Sequence, residues 1–188
     1  VHPFHTVHVK KMHRLYPTAR LYGTARHQEL FVDLPWEAEC TEDPELHERY
    51  ADDFDFSVPE GVDFISANDN VHFSSVLVLH RDSNTIHVDD TFMYLQLPFM
   101  LRLVGIKDSL GFHPTLSSAL EKRTGAAADF RAWARALRDD WADAENLCAA
   151  HTAPLLAGDN TGLSIPGRLK KALRRCEPAL RIHQFRYG

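Results

Sequence analysis

Three histidines open the chain: His2, His5 and His8, in the octet Val1-His2-Pro3-Phe4-His5-Thr6-Val7-His8. Neutral imidazole is a common metal ligand, and three within one short segment can converge on a single ion. Such an ion polarises an oxygen of a substrate and makes water a nucleophile near neutral pH. Single His and Asp residues recur downstream at the ends of expected strands, so the octet has candidate partners elsewhere in the chain.

The elements that must position these residues follow from pattern and punctuation. Val7 to Tyr16 reads as an amphipathic helix stopped by Pro17. Arg20 to Thr24 reads as a short buried strand ending at a Gly turn. Glu39 to Asp63 is acidic and broken by Pro and Gly, which predicts a long surface excursion with one short helix. Phe73 to His80 has strand composition, Arg81 to Asn84 supplies turn chemistry, and Thr85 to Val88 is the return strand, ending at Asp89-Asp90. Alternation puts Ile86, Val88 and Asp90 on one side, and His87 and Asp89 on the other.

Tyr94 to Ile106 is strongly apolar and interrupted by Pro98. Core is the favoured place for it, with a lid or a partner surface as the alternatives. Pro114 to Arg123 and Ala127 to Trp141 read as helices, the latter with Phe130, Trp133, Ala134, Leu137 and Trp141 on one stripe. A short strand from Asn146 to Ala150 delivers His151 at its end, and Ser164 can cap a last helix with Pro166 in its first turn.

Composition sets the outer bounds. With 188 residues, 44% of them hydrophobic, the chain suits a single domain, 1–188, with a real core. No apolar run is long enough for a bilayer span, and no signal peptide precedes the histidines, which argues against a membrane protein. The chain opens inside a motif at Val1, so N-terminal sequence is expected to be missing. Net charge is −5, and the densest basic cluster, Arg168 to Arg175, reads as the solvated face of a helix, so no nucleic-acid partner is expected. Cys40, Cys148 and Cys176 are odd in number and far apart, which points to free thiols in a reducing, cytoplasmic setting. Neither a Gly-rich phosphate loop nor a Gly-x-Ser-x-Gly elbow is present.

The order of strand-end His and Asp residues resembles the metallo-β-lactamase superfamily. Phe4-His5-Thr6-Val7-His8-Val9 is similar to its x-His-x-Asp-His-x motif, with His2 as a displaced first His. His72 resembles the next single His, Asp89-Asp90-Thr91-Phe92 the Asp segment, and His151 in Ala149-Ala150-His151-Thr152 the final His. The resemblance covers roughly residues 2 to 155. It implies an α/β fold, an αββα sandwich of two sheets with external helices, here lacking the N-terminal strands. It also implies a metal set drawn from His2, His5, His8, His72, Asp90 and His151, with Asp90 and His151 in catalytic roles.

Val7 stands where the family carries the Asp that holds a second metal, and valine cannot ligate. A single ion, a rearranged pair, and a scaffold without metal therefore all stay open. Zinc is the first expectation, with iron or manganese as alternatives. The leading function is a metal-dependent hydrolase of a small ester, lactone, thioester or phosphoester. The alternatives are a non-catalytic scaffold that binds a partner or forms a homo-oligomer through Tyr94 to Ile106, and a mononuclear iron oxygenase-type relative. His13, His27, His47, His80, His87, His113 and His183 read as structural or surface residues, with His80 and His87 able to meet across the hairpin.

Overall fold

The computed structural model describes residues 1–98, 100, 103–105, 107–160 and 162–188. It is a mixed α/β structure with two small sheets. The larger has four strands in the order β1-β2-β3-β6, where β1 is Phe54–Ser57, β2 Leu77–His80, β3 Thr85–Val88 and β6 Asn146–Ala149. β1/β2 and β2/β3 are antiparallel, and β3/β6 is parallel. The smaller sheet is the antiparallel pair β4 (Phe92–Leu95) and β5 (Ser109–Phe112). The helices with described bounds include α1 (Val9–Leu15), α2 (Ala25–Leu30), α3 (Pro44–Arg49), α4 (Leu116–Ala119), α5 (Ala126–Asp140) and α6 (Ile165–Tyr187).

The β2–β3 hairpin forms where turn chemistry separates two apolar alternations. Asn84 takes the left-handed backbone its turn requires, at φ 48°. Ile86, Val88 and Asp90 are buried together while His87 is exposed, as the period of two demands. β2 is shorter than the expected strand. Residues 73–76 stay buried outside any strand, and Val76 exchanges backbone hydrogen bonds with Val1, at 2.7 and 2.9 Å. His80 faces Thr85 and His87 faces Val78, so the two histidines do not meet.

α5 buries Phe130, Trp133, Ala134 and Leu137 on one stripe. Its aromatic end is anchored to the edge strand: Trp133 Nε1 donates to Ser57 Oγ (2.8 Å) and Trp141 Nε1 to Asp55 Oδ2 (2.9 Å). Strand β1 lies in the acidic stretch expected to be a loop with one helix. Its apolar residues are half-buried at a sheet edge, too weak a pattern to stand out from the surrounding acids. α6 starts where Ser164 accepts from Gly167 N (3.3 Å) and packs on α5 and β5. Arg131 of α5 grips Glu177 of α6 through two hydrogen bonds of 3.0 and 3.1 Å. The basic face is not wholly solvated, because Arg168 and Arg175 reach the carbonyls of Asp108 and Leu110.

Three further expectations are corrected. Arg20 to Thr24 is not a strand; Leu21 makes one isolated bridge to Trp36. Pro114 to Arg123 yields only the four-residue α4, because Leu120 leaves helical geometry. Tyr94 to Ile106 is core only at its start: Tyr94 is buried on strand β4, whereas Leu95 and, past Pro98, Met100, Leu103 and Val104 are exposed. Phe99, Leu101, Arg102 and Ile106 of that segment lie outside the described residues. Elsewhere α1 is two residues shorter than expected at its start, and it buries none of its side chains. No helix among the described residues is long and apolar enough to cross a membrane, and all three cysteines are free.

Candidate metal centre

The centre is assembled by the parallel β3/β6 pair. Their register places Val88 beside Ala149, and Ala150 N donates to Val88 O (3.0 Å). Continued by two residues, the same offset sets Asp90 beside His151. Both strands end here, so their following side chains face one point. The N-terminal segment reaches this point through Val1, docked on Val76, and brings His2 and His5 with it. His72 arrives on the stretch that precedes β2.

Asp90 is the hub. Its Oδ2 lies 3.4 Å from His2 Nε2, 3.2 Å from His5 Nε2 and 3.8 Å from His72 Nδ1. Its Oδ1 lies 3.3 Å from His151 Nε2. One donor atom from each of His2, His5, His72 and Asp90 falls within 4.8 Å of all the others. An ion bound at about 2.0–2.2 Å from each donor needs donors about 3–4 Å apart. The observed spacings match that requirement or lie just outside it.

The outer contacts fix which nitrogens are free. His72 Nε2 lies 2.7 Å from the carbonyl oxygen of Asp69, which can only accept, so Nε2 carries the proton and the Nδ1 lone pair faces Asp90. His5 Nδ1 lies 3.5 Å from Asp89 Oδ1, a carboxylate–imidazole arrangement that turns Nε2 inward. The carbonyl of His5 accepts from His27 Nε2 (3.1 Å), whose other nitrogen accepts from Thr24 N (3.2 Å) in the cap of α2. His2 differs. Its Nδ1 accepts from Phe4 N (3.1 Å), so the neutral ring carries its proton on Nε2, toward Asp90. His72 and Asp90 thus fit an ion as they stand, His5 joins them on giving up the proton shared with Asp90, and His2 on releasing its Nε2 proton.

Electrostatics separate the two leading histidines. Hydrogen bonds to Asp89 and Asp90 push His5 up to about 9. Burial pushes His2 down to about 4, although Asp90 opposes the shift. Burial works against charge on Asp89, but His5 and the Val1 ammonium overcome it and hold the carboxyl at about 2. Asp90 is likewise disfavoured by burial yet held below the usual carboxylate range by its hydrogen bond from His5 and by the charge of His2.

His151 joins the cluster from the exposed side, its Nε2 3.0 Å from His5 Nε2. His8 does not reach Asp90. It is exposed at the N-cap of α1, on the wall of an adjoining cleft. Val7 is 85% exposed and supplies no donor. Sequence reasoning offers Asp89 only as a substitute ligand in a rearranged metal pair, not as the partner of His5, and it reads His27 and His113 as structural or surface residues. His113 Nδ1 lies 2.7 Å from Thr115 Oγ1, and that hydroxyl donates to the carbonyl of His72 (2.5 Å). Burial lowers the pKa of His113, with Asp90 acting against it. The signal for Asp89 was its place beside Asp90; nothing local marked Thr115 or His113.

Comparison with family models, curated proteins and solved structures returned no match. The geometry of the site is therefore what bears on function.

Proposed function

We propose that this chain is a metal-dependent hydrolase of the metallo-β-lactamase type, acting on a small ester, lactone, thioester or phosphoester, and that its fold is a variant of that family's αββα sandwich. The observation that carries this reading is the pair His5 and His72. Each has its outer nitrogen facing an acceptor, and each turns its other nitrogen on Asp90 Oδ2. Two imidazoles from distant parts of the chain, each held from behind by an acceptor, thus converge on one carboxylate oxygen, as ligands of a shared ion would.

The donor set, imidazoles with one carboxylate, suits zinc, with ferrous iron or manganese as alternatives. The ion would supply a Lewis acid for the substrate oxygen and lower the pKa of water from ~15.7 toward ~7. The rest of the work falls to the chain. Asp90 Oδ2 would balance the charge of such an ion, while Oδ1, 3.3 Å from His151, orients that ring. His151 is 59% exposed at the cleft, placed to give a proton to a leaving group. Asp89 fixes the ring of His5, and Asp69 that of His72. With valine at position 7, the arrangement favours one ion over two.

The test is metal content of the purified protein together with hydrolysis of an ester, lactone, thioester and phosphoester panel. One equivalent of metal is expected, falling on His5→Ala and Asp90→Ala, with turnover lost in both. Folded protein that neither carries nor takes up metal overturns the reading.

A further inference from the structure

A cleft of about 580 Å³ adjoins the metal cluster, and its wall says what it can hold. His5 and His151 belong to both. The remaining wall is largely apolar: Phe4, Val9, Met12, Leu21 and Trp36 are among its residues. Its volume lies within the range of small-molecule sites, about 300–1,000 Å³.

Most of the polar groups in that wall are committed elsewhere. Trp36 Nε1 donates to Phe31 O (2.9 Å). His27 is satisfied on both nitrogens, by Thr24 and by the carbonyl of His5. The hydroxyl of Tyr22 meets Tyr50 (3.2 Å) and Arg49 (3.3 Å). Gly23 presents bare backbone, and a Cβ there would stand 2.7 Å from Trp36 Cζ3, so the absence of a side chain lets the indole approach the chain closely. The polar groups left to a ligand are the imidazoles His5 and His151, shared with the metal cluster, and the exposed His8.

We infer that the cleft binds the uncharged apolar acyl group of the substrate, a chain of medium length, with the scissile carbonyl at His5 and His151. A charged substituent lying against Phe4, Leu21 and Trp36 would be desolvated with only apolar neighbours. A small acetyl group would leave most of the apolar wall wet and contribute little binding. The inference deepens the hydrolase reading and rests on it for the position of the carbonyl. The binding of the chain itself does not require turnover.

The experiment has two arms. In the first, acetate and octanoate are titrated into the metal-loaded protein, with tryptophan fluorescence as the readout and Trp36→Phe as control. Octanoate should bind at least tenfold tighter than acetate, with a signal that vanishes in Trp36→Phe. In the second, the acetyl and octanoyl esters of p-nitrophenol are compared by kcat/KM, expecting at least a tenfold preference for octanoyl. Met12→Glu puts a carboxylate in the wall at a half-exposed position, so folding, checked by circular dichroism, should survive it. Octanoate affinity and the octanoyl preference should both fall about tenfold. Octanoate binding without hydrolysis of either ester or of any member of the lactone, thioester and phosphoester panel would sink the hydrolase reading and keep the cleft assignment. Hydrolysis indifferent to chain length, with no octanoate binding, would overturn the cleft assignment and keep the hydrolase. A concentration-dependent dimer abolished by Met12→Glu would also overturn it, by showing that a second copy fills the cleft.

Discussion

The Nε2 atoms of His5 and His151 stand 3.0 Å apart, although 146 positions separate the two residues in the chain. Two imidazole nitrogens that close repel unless a proton or a cation lies between them. In the metal-free protein that proton belongs to His5, whose charged form Asp89 and Asp90 sustain up to about pH 9. A metal ion must displace it.

Metal affinity should therefore rise with pH. Below about 9 the metal-free chain carries the His5 proton, so binding releases it, and the apparent affinity for zinc should climb about tenfold per pH unit from 6.5 toward 9. Competition against a chromogenic chelator at several pH values measures this. A flat profile would mean that His5 is not a ligand.

Stability of the metal-free protein should run the opposite way. The folded pKa of His5, about 9, exceeds its ordinary 6.5, so its contribution is full below 6.5 and is lost as pH rises through 9. Asp89, at about 2 against an ordinary 3.8, contributes above 3.8 and is lost as pH falls through 2. Urea midpoints of metal-free protein should decline between pH 6.5 and 9, and Asp89→Asn should flatten that decline. An unchanged slope in the variant would show that Asp89 does not sustain the charge.

Thr115→Val keeps the shape and removes the hydroxyl between His113 and the carbonyl of His72. Two polar groups lose a partner, and such losses cost about 1–3 kcal/mol when buried. Denaturant unfolding should show that loss, with metal affinity reduced but less than in Asp90→Ala. Wild-type stability in the variant would mean the link is dispensable.

Phe130 is fully buried against Phe73, Phe112 and Trp133, with ring centroids 5.1–5.9 Å away. Phe130→Ala should cost about 3–5 kcal/mol. The part that remains folded should still take up metal, because the ring touches none of the donors. Loss of uptake in folded protein would show that the core and the centre are coupled.

Much of the centre was readable because it sits at places that local pattern marks. Alternation along Thr85 to Val88 put Asp90 on the same side as Ile86 and Val88, the side the structure buries, and the strand from Asn146 pointed to His151. His8 looked equivalent to His5 in the octet, but the turn into α1 leaves it in solvent. What stayed hidden depends on contacts across the chain. β1 becomes a strand because Trp133 and Trp141 hold it, a fact its own four residues do not carry. Tyr94 to Ile106 looked like core because apolar runs usually pack inside, yet the part described past Pro98 faces outward.

The side-by-side run of β3 and β6 makes the centre intolerant of slippage. Inserting or deleting one residue within Asn146–Ala149 would advance or retract the strand by about 3.3 Å and swing His151 to the opposite face, offering Ala150 or Thr152 to Asp90 instead. Length variation in this chain should accordingly accumulate in the connections and spare those four residues.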